Sequence, residues 1–410
     1  MTKILYISLN GMTEPLGESQ VVQYLLKLSK SHSIYLLSFE KPCDTKKHDH
    51  MAQKIKEANI EWKYFIYSNR FGVFSTVWQL MMAFFLLSRW SYREKIKIVH
   101  ARSLIPAVLG VLLKKTQKIK FLFDIRGFAI DEKIIDGRLK ADSLLTRVLK
   151  KMEAFVYKQA DHLVTLTHAS VPIIKDFYQV PTEKITVIPT CANIELFKKL
   201  DRTERVRLRT ALGYSPQDFV ILHNGSLNGW VDFDAELKLF KALSLYKPDA
   251  KFLFLNQNQQ AFIEEKIEAY QLKKANCKIY AADFAEVHHF LNISDVCVFF
   301  IKPSLAKQAS APTKFAELIA CHLFSVTNTN YGDMEFYLNN YPLGLLLELK
   351  AVHDNPQQAA LKLIEFFDNA CHTSPKVEKS FDQLFNEHFS NQIAINRYNC
   401  VYASLVKEHG

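Results

Sequence analysis

Short apolar runs alternate with longer amphipathic segments along the whole chain. In the first half, the strand-like runs lie at residues 4–9, 33–38, 96–100, 120–123, 163–166 and 185–188. Segments with helical periodicity lie between them, for example at residues 20–29, 106–115 and 144–159. Such alternation predicts parallel strands joined by helices that cover both faces of a sheet.

The alternation restarts after residue 193, which predicts a second domain. Its strand-like runs lie at residues 219–223, 251–255, 278–280, 296–301 and 324–328. We place the linker at residues 189–205. The sequence therefore predicts an α/β chain with two doubly wound, Rossmann-like domains, residues 1–190 and 191–384. Residues 385–410 have helical spacing and are predicted to form a terminal helix.

Composition and charge narrow the function classes. The chain has 410 residues, of which 49% are hydrophobic, and a formal net charge of +10. A basic excess favours phosphate-bearing substrates or an anionic membrane surface. Nucleic acid is not expected as a partner, because the lysines form no long basic block. Seven cysteines without CxxC spacing indicate reduced thiols and a cytoplasmic location.

One apolar segment, residues 71–88, raises the question of a membrane. It is flanked by Arg70 and Arg89 and is at the lower edge of spanning length. We expect a buried or half-buried helix of the first domain. The alternative is peripheral contact, with the helix lying in the membrane interface and Trp78 and Trp90 as anchors.

A basic, hydroxyl-rich loop follows the strand-like run at residues 296–301. Three lysines supply its charge: Lys302, Lys307 and Lys314. We expect a helix to start near Pro312 with Ser310 as a cap, and a helix start suits a phosphate. Glu317, one turn inside, could accept hydrogen bonds from sugar hydroxyls. The alternative is a solvated loop, a capped helix and one exposed glutamate.

In the first domain, polar residues follow several predicted strands. Asp124 and Arg126 come directly after an apolar run. Burying a charged side chain there is costly unless it forms an ion pair or binds a ligand. A structural ion pair between them is the alternative to a functional role. His100 ends the preceding run and is either a ligand-facing residue or a satisfied core histidine.

A glycine-containing loop also follows the first strand of each half. Gly17 and Gln20 come after the first strand of the chain, and Gly225 and Ser226 come after residues 219–223. Taken alone, these loops are weak evidence for a ligand site, because most such loops are simple turns between a strand and a helix. Asp232-Phe233-Asp234 spells DxD, but acidic residues are expected where a helix opens.

Several passages resemble family 4 glycosyltransferases, which are retaining enzymes with the GT-B fold. Residues 310–317, SAPTKFAE, and 320–326, ACHLFSV, look like the donor-site helix of that family. Residues 124–128, DIRGF, resemble a subgroup pattern, and residues 225–230, GSLNGW, resemble its glycine loop. The resemblance implies two domains facing a central cleft and a terminal helix that crosses back to the first domain.

The resemblance also implies roles for single residues. The donor-binding set is Gly17, Gly225, Ser226, Lys302, Lys307, Ser310, Thr313 and Glu317. The residues implied at the reacting centre are Arg102, Asp124, Arg126 and Lys314. The acceptor-binding set is Gln20, His100, Asp131 and Glu132. Two positions depart from the family: Arg102 stands where many members have a histidine, and Ala309 stands where the first glutamate of a pair is usual.

The function implied is retaining transfer of a hexosyl or N-acetylhexosaminyl group. The expected donor is a nucleotide-diphosphate sugar, UDP-linked by family frequency, and neither metal nor cofactor is expected. The expected acceptor is a lipid-linked or growing cell-surface saccharide at the inner face of the plasma membrane. The alternatives are a GT-B epimerase or hydrolase, and a catalytically silent GT-B subunit that binds nucleotide or a partner.

Overall fold

The computed structural model describes residues 1–42, 45–67, 73–369 and 374–407, with residues 73 and 74 described for their backbone alone. The chain divides into two compact units. The first comprises Met1–Pro189 together with the chain from Asn391 onward, and the second is Thr190–Ser390. The predicted terminal segment 385–410 is therefore divided between the units, because its first turn lies in the second unit. Its residues 408–410 lie outside the described residues.

Seven parallel strands form the sheet of the first unit within its described residues. They are β1 (Thr2–Ser8), β2 (His32–Glu40), β3 (Glu61–Ile66), β4 (Ile98–Arg102), β5 (Lys120–Asp124), β6 (His162–Thr165) and β7 (Ile185–Val187). Their order is β3-β2-β1-β4-β5-β6-β7. In register, Ser8 of β1 lies opposite Ser38 of β2 on one side and Arg102 of β4 on the other.

Helices lie between consecutive strands of this sheet along the chain, and one further helix of the unit comes at residues 391–407. They are Pro15–Gly17, Glu18–Val22 (a π turn), Gln23–Leu28, Thr45–Glu57, Val73–Glu94, Leu104–Gln117, Ala129–Ile135, Leu144–Gln159, Ser170–Tyr178, Thr182–Lys184 (3-10) and Asn391–Lys407. The predicted helix at 20–29 is thus interrupted by the π turn at its start.

Six parallel strands form the sheet of the second unit within its described residues. They are β8 (Val220–Asn224), β9 (Lys251–Leu255), β10 (Cys277–Tyr280), β11 (Val296–Val298), β12 (Phe324–Asn328) and β13 (Gly344–Leu347). Their order is β10-β9-β8-β11-β12-β13. The helices are Arg202–Ala211, Phe233–Tyr246, Gln260–Ala269, Lys274–Asn276 (3-10), Val287–Ile293, Leu305–Gln308, Thr313–Ala320, Met334–Asn340, Leu349–Asp354, Pro356–Asn369, Pro375–Leu384 and Phe385–Phe389 (a π turn).

Both units confirm the predicted doubly wound architecture, and each sheet has a topological switch point. It falls between β1 and β4 in the first sheet and between β8 and β11 in the second. At such a point the connections leave in opposite directions, so the carboxyl ends of the two strands border a crevice suited to ligands. The fold therefore singles out one edge of each sheet.

Two edge strands, β3 and β13, escaped the sequence analysis. Every residue of β3 is exposed or half-buried, and three of the four residues of β13 are half-buried. β3 includes the polar residues Glu61 and Lys63, as an edge strand with one neighbour can, whereas β13 is a short apolar run that the sequence analysis did not assign.

The apolar segment at 71–88 confirms the expected half-buried helix, which here is Val73–Glu94. Its Ala83, Leu87 and Trp90 are buried, whereas Trp78 is 62% exposed. Trp90 as a membrane anchor is therefore wrong. Residues 70–72, including Arg70 and Phe71, lie outside the described residues. In the described part of the chain, no helix combines the length and the apolar character needed to cross a bilayer.

Five cysteines lie in the described part of the chain and are free thiols. They are Cys191, Cys277, Cys297, Cys321 and Cys400. Burial raises the pKa of Cys277 to about 11 and that of Cys297 to about 12. Cys43 and Cys371 lie outside the described residues.

Candidate functional site

In the first unit, the loop after β1 is held by a carboxylate that the sequence analysis missed. Glu40, fully buried at the end of β2, accepts from the Met12 amide at 2.7 Å and from the Thr13 hydroxyl at 3.1 Å. A Cβ at Gly11 would lie 2.7 Å from the same carboxylate. In the sequence, this residue could have been found as an acidic residue at the end of an apolar strand. The buried hydrogen-bond network that it forms fixes the loop at the switch point.

Gly17 has a packing reason for being glycine. A Cβ at this position would lie 1.8 Å from the Gly11 carbonyl oxygen, so the loop and the following helix touch backbone to backbone. Gln20 is buried one turn later and accepts from the Tyr24 hydroxyl at 3.2 Å. Both predicted residues therefore lie beneath the loop.

A buried charge cluster stands at the carboxyl ends of β4 and β5. Asp124 is fully buried, 3.5 Å from Arg102 and 3.6 Å from Arg126. Burial alone would raise the pKa of Asp124, but the two guanidinium groups hold it well below its usual value. The ion pair between Asp124 and Arg126, which the sequence analysis gave as an alternative, is therefore present. Asp124 also pairs with a second arginine, Arg102.

The cluster carries one net positive charge and incomplete hydrogen bonding. Arg102 Nε and Arg126 Nη1 are buried and lack a hydrogen-bond partner among the described residues. Arg126 Nη1 faces Asp124 Oδ1, which also lacks a hydrogen bond, at 3.6 Å. Because buried donors are normally satisfied, Arg102 Nε is the donor left for an acceptor of a ligand. The predicted trio at the reacting centre is thus brought together within the first unit.

His100 lies under this cluster, in contact with the terminal helix Asn391–Lys407. Its Nδ1 is 2.7 Å from the Tyr402 hydroxyl and its Nε2 is 3.5 Å from Asp124. Tyr398 donates to Asp124 at 3.3 Å. Burial lowers the pKa of His100, which favours the neutral ring. It has the surroundings of a core histidine that positions Asp124.

The backbone turns sharply immediately after β4. Ser103 has φ 71° and ψ 169°, a conformation that residues with a Cβ rarely adopt. Its amide donates to the Asp124 carbonyl at 2.9 Å. The strained turn fixes Arg102 at the sheet edge, next to the start of helix Leu104–Gln117.

Asp131 and Glu132, the other predicted acceptor residues, stand on the short helix Ala129–Ile135. Asp131 forms an ion pair with Lys150, which also contacts Glu153 at 2.9 Å. Glu132 lies beside Gly127, where a Cβ would meet its carboxylate at 3.0 Å. The structure therefore ties Asp131 into a helix-to-helix network rather than leaving it unpaired.

In the second unit, the switch-point edge joins Gly225 to the helix Thr313–Ala320. Lys314 Nζ donates to the carbonyl of Asn224, the last residue of β8. Gly225 has φ +119°, and a Cβ there would lie 3.3 Å from Lys314 Nζ. A glycine is required both by the backbone conformation and by the lysine. Ser226 follows and is exposed.

The start of helix Thr313–Ala320 is uncapped. Pro312 is the N-cap residue, and it makes no side-chain cap hydrogen bond. The predicted cap is wrong, because the Ser310 hydroxyl donates instead to the Ala306 carbonyl at 3.2 Å. The Phe315 amide donates to the Pro312 carbonyl at 3.0 Å. The Thr313 and Lys314 amides, with the positive end of the helix dipole, are left for another acceptor.

Glu317 lies one turn inside this helix and is 7% exposed. Its carboxylate makes neither hydrogen bond nor ion pair with any described residue. Burial raises its pKa to about 8, and the nearby Lys314 opposes that rise. A buried carboxyl without a partner is a site for hydrogen-bond donors of a ligand.

The remaining predicted lysines differ in what they contact. Lys307 is buried, with its ammonium 3.9 Å from the ring centre of Trp230. Lys302 is exposed and donates to the Gly229 carbonyl at 3.2 Å. Both therefore hold the loop after β8 against the loop after β11.

Further residues that the sequence analysis missed support the glycine loop. Asn256 donates to the Gly225 carbonyl at 2.9 Å. The side-chain amide of Gln259 accepts from the Leu227 amide through its oxygen and donates to the Leu227 carbonyl through its nitrogen. His223 and Glu236 are buried and lie 2.6 Å apart beneath the loop. Their partners are distant in sequence, so no local motif marks them.

The DxD residues point to separate partners. Asp232 caps helix Phe233–Tyr246 and lies 2.9 Å from His353, whereas Asp234 pairs with Lys266 at 2.8 Å. Among the described residues, no cluster of three potential metal ligands occurs.

Comparison with known proteins relates part of the chain to glycosyltransferases. Residues 18–196 match the model of Glycosyltransferase Family 4. Over 111 residues the chain is 31% identical to alpha-galactosylglucosyldiacylglycerol synthase of Streptococcus pneumoniae. This match covers 27% of the chain and 29% of that relative, so the chain spans under a third of the relative's length.

Solved structures resemble the chain over almost its whole length. A glycosyltransferase from Rickettsia africae has a TM-score of 0.71 at 17% identity and covers 99% of both chains. HepE of Anabaena, solved with UDP-glucose, has a TM-score of 0.70 at 13% identity and covers 98% of this chain and 100% of its own. The fold is GT-B, and residues 18–196 carry a glycosyltransferase family domain.

Proposed function

We propose that the chain is a retaining glycosyltransferase that uses a UDP-linked sugar. The observation that carries the proposal is the edge of the second unit, where an uncapped helix start, Lys314 and Gly225 surround a partnerless buried carboxyl, Glu317. These groups match a nucleoside diphosphate: amides and an ammonium for phosphate, a carboxylate for hydroxyls. The UDP-glucose bound to HepE supports the choice of nucleotide.

The chemistry concerns charge on the leaving diphosphate. The bond from the anomeric carbon to the diphosphate oxygen breaks, the acceptor oxygen bonds the same carbon from the same face, and the acceptor proton passes to the leaving phosphate. The Thr313 amide and the Lys314 and Lys302 ammonium groups stabilise the negative charge that develops there. Glu317 accepts from the ribose hydroxyls.

The first unit supplies the acceptor side. Arg126, 13% exposed in its side chain, presents a guanidinium group at the sheet edge. Its Nη1 makes no hydrogen bond, although it lies 3.6 Å from Asp124. Arg102 and Asp124 fix its direction, and His100 acts through Asp124 as a positioning residue. The acceptor is a lipid-linked or growing cell-surface saccharide at the inner face of the plasma membrane. The relative named a galactosylglucosyldiacylglycerol synthase supports a glycolipid acceptor.

The transfer is proposed to need no metal. Lysines at the donor edge provide positive charge, and the two DxD carboxylates are engaged by His353 and Lys266. Turnover is therefore expected to persist in EDTA, whereas a metal-dependent enzyme would lose it.

A catalytically silent, nucleotide-binding subunit is the second candidate. Two observations favour it: Ala309 is fully buried where a sugar-binding glutamate is usual in the resembled family, and Arg102 is tied to Asp124. It predicts nucleotide binding without turnover of any donor.

A calorimetric titration with UDP and GDP tests the donor site. Lys314→Met removes the ammonium and retains the apolar stem, and a charge-assisted hydrogen bond is worth about 1.5–3 kcal/mol, or roughly 10- to 100-fold in Kd. The matched control is Lys379→Met, which removes an exposed lysine of the same unit. Unchanged UDP affinity in Lys314→Met, or binding by neither nucleotide, would contradict the proposal.

A further inference from the structure

Three neighbouring helices of the first unit leave large apolar side chains in solvent. Helix Val73–Glu94 packs on helix Leu104–Gln117, which packs on helix Leu144–Gln159. We name this layer the outer helical face. Each helix contributes exposed apolar residues, among them Trp78, Met81, Phe85, Leu112, Leu144 and Val148.

These apolar side chains are not exposed because their helix fails to pack on the unit. Helix Val73–Glu94 already buries Ala83, Leu87 and Trp90. Trp78, Met81 and Phe85 recur at spacings of three and four and so form one row on its opposite side. Trp78 is 62% exposed and Phe85 63%. An exposed apolar surface of this kind marks an interaction site.

The charge on the same three helices is one-sided. They carry eight basic residues, namely Arg89, Arg93, Lys114, Lys115, Arg147, Lys150, Lys151 and Lys158, and two acidic ones. Both acids are engaged: Glu94 bonds Arg93 and Tyr35, and Glu153 is buried against Lys150. Arg93, Lys114 and Lys150 are ion-paired with Glu61, Asp161 and Asp131 respectively. The charge available to a partner therefore comes from Arg89, Lys115, Arg147, Lys151 and Lys158. The face therefore offers apolar side chains and positive charge together.

This combination decides which partner fits. A second copy of the chain docked through a twofold axis would bring the same cationic face against itself, and like charges would repel. An anionic bilayer surface accepts both features, because its headgroups attract the lysines and arginines and its acyl boundary accepts the aromatic rings.

We propose that the outer helical face lies on an anionic lipid bilayer, with the Trp78 and Phe85 side chains entering the interface. This deepens the proposed function, since it names the surface through which the chain meets a lipid-linked acceptor. Helix Val73–Glu94 then lies along the bilayer plane. Arg147 and Lys151 hold helix Leu144–Gln159, the third helix of the layer, near the headgroups.

Vesicle co-sedimentation without any substrate tests this surface. Vesicles of phosphatidylcholine, with and without phosphatidylglycerol, are mixed with wild type and two double variants. Trp78→Ser with Phe85→Ser removes the apolar row, and Arg147→Glu with Lys151→Glu reverses charge. Each is expected to weaken binding to phosphatidylglycerol vesicles at least about tenfold, whereas wild type binds pure phosphatidylcholine poorly.

Matched controls are available on the second unit. Leu245→Ser removes an apolar side chain that is also 62% exposed, and Lys273→Glu with Lys379→Glu reverses two exposed lysines. Both control proteins are expected to bind vesicles like wild type. Circular dichroism of every variant separates loss of binding from loss of folding.

Fluorescence locates the contact. Brominated lipids should quench the wild-type tryptophan signal, and Trp78→Phe should bind equally while losing that quenching. Of the other three tryptophans, Trp90 is buried, Trp62 lies on β3 and Trp230 belongs to the second unit, so none lies exposed on the outer helical face. Equal binding to both vesicle types, double variants that bind like wild type, or a dimer that Trp78→Ser with Phe85→Ser dissociates would each overturn the proposal. UDP affinity, measured on the same samples, reports the donor site separately, so either proposal can fail alone.

Discussion

The carboxyl of Glu317 should make stability depend on pH in a way that a single substitution removes. Its pKa rises from the usual 4.5 to about 8 because it is buried. The folded state therefore holds this proton more tightly than the unfolded state does. The resulting stabilisation is complete below pH 4.5 and is lost as the pH rises through 8.

The magnitude follows from the two pKa values. The rise from 4.5 to about 8, at about 1.4 kcal/mol per pH unit, sets a ceiling of roughly 5 kcal/mol. Side-chain rotation and water entry reduce it, and we expect about 2 kcal/mol in practice. For a unit of this size that is roughly 4–8 °C in melting temperature.

Glu317→Gln keeps the shape and cannot ionise, so it should melt above wild type at pH 8.5 and close to it at pH 5.0. Thermal denaturation at both values measures this, with Glu265→Gln, an exposed glutamate of the same unit, as control. A difference between Glu317→Gln and wild type that is the same at both pH values would refute the reasoning, because it would mean that Glu317 has an ordinary pKa.

Two further substitutions test the first unit by urea denaturation. Asp124→Asn leaves two buried arginines without their counter-charge and should cost about 3 kcal/mol; a cost no larger than that of Asp142→Asn, at an exposed site, would argue against the buried cluster. Gly17→Ala places a Cβ against the Gly11 carbonyl and should cost about 1–3 kcal/mol through overpacking. An unchanged urea midpoint would contradict this, because it would show that the loop moves aside for the added methyl group at little cost.

The sequence predicted most of the fold because central parallel strands are buried on both faces. Their uninterrupted apolar runs identify them without tertiary information, as for β8 and β9. The edge strand β3 carries no such run, because Glu61 and Lys63 interrupt it. Residues at the end of a central strand, such as Asp124, or directly after one, such as Gly225, were found for the same reason.

What escaped prediction depends on contacts between distant parts of the chain. Glu40 reaches back to the Met12 amide, and Tyr402 of the terminal helix reaches His100. No local spacing encodes such pairs. The Ser310 cap was wrong because the Ala306 carbonyl, four residues earlier, competes for the same hydroxyl.

The most direct test of the central claim is release of UDP from a panel of UDP-sugars, with vesicles that contain lipid-linked saccharide as acceptor. The account predicts release with at least one donor, stimulated by the acceptor, with the anomeric configuration kept in the product. Lys314→Met should lose most of this activity and Lys379→Met should keep it. UDP binding without turnover of any donor would contradict the account and assign the chain to the catalytically silent class.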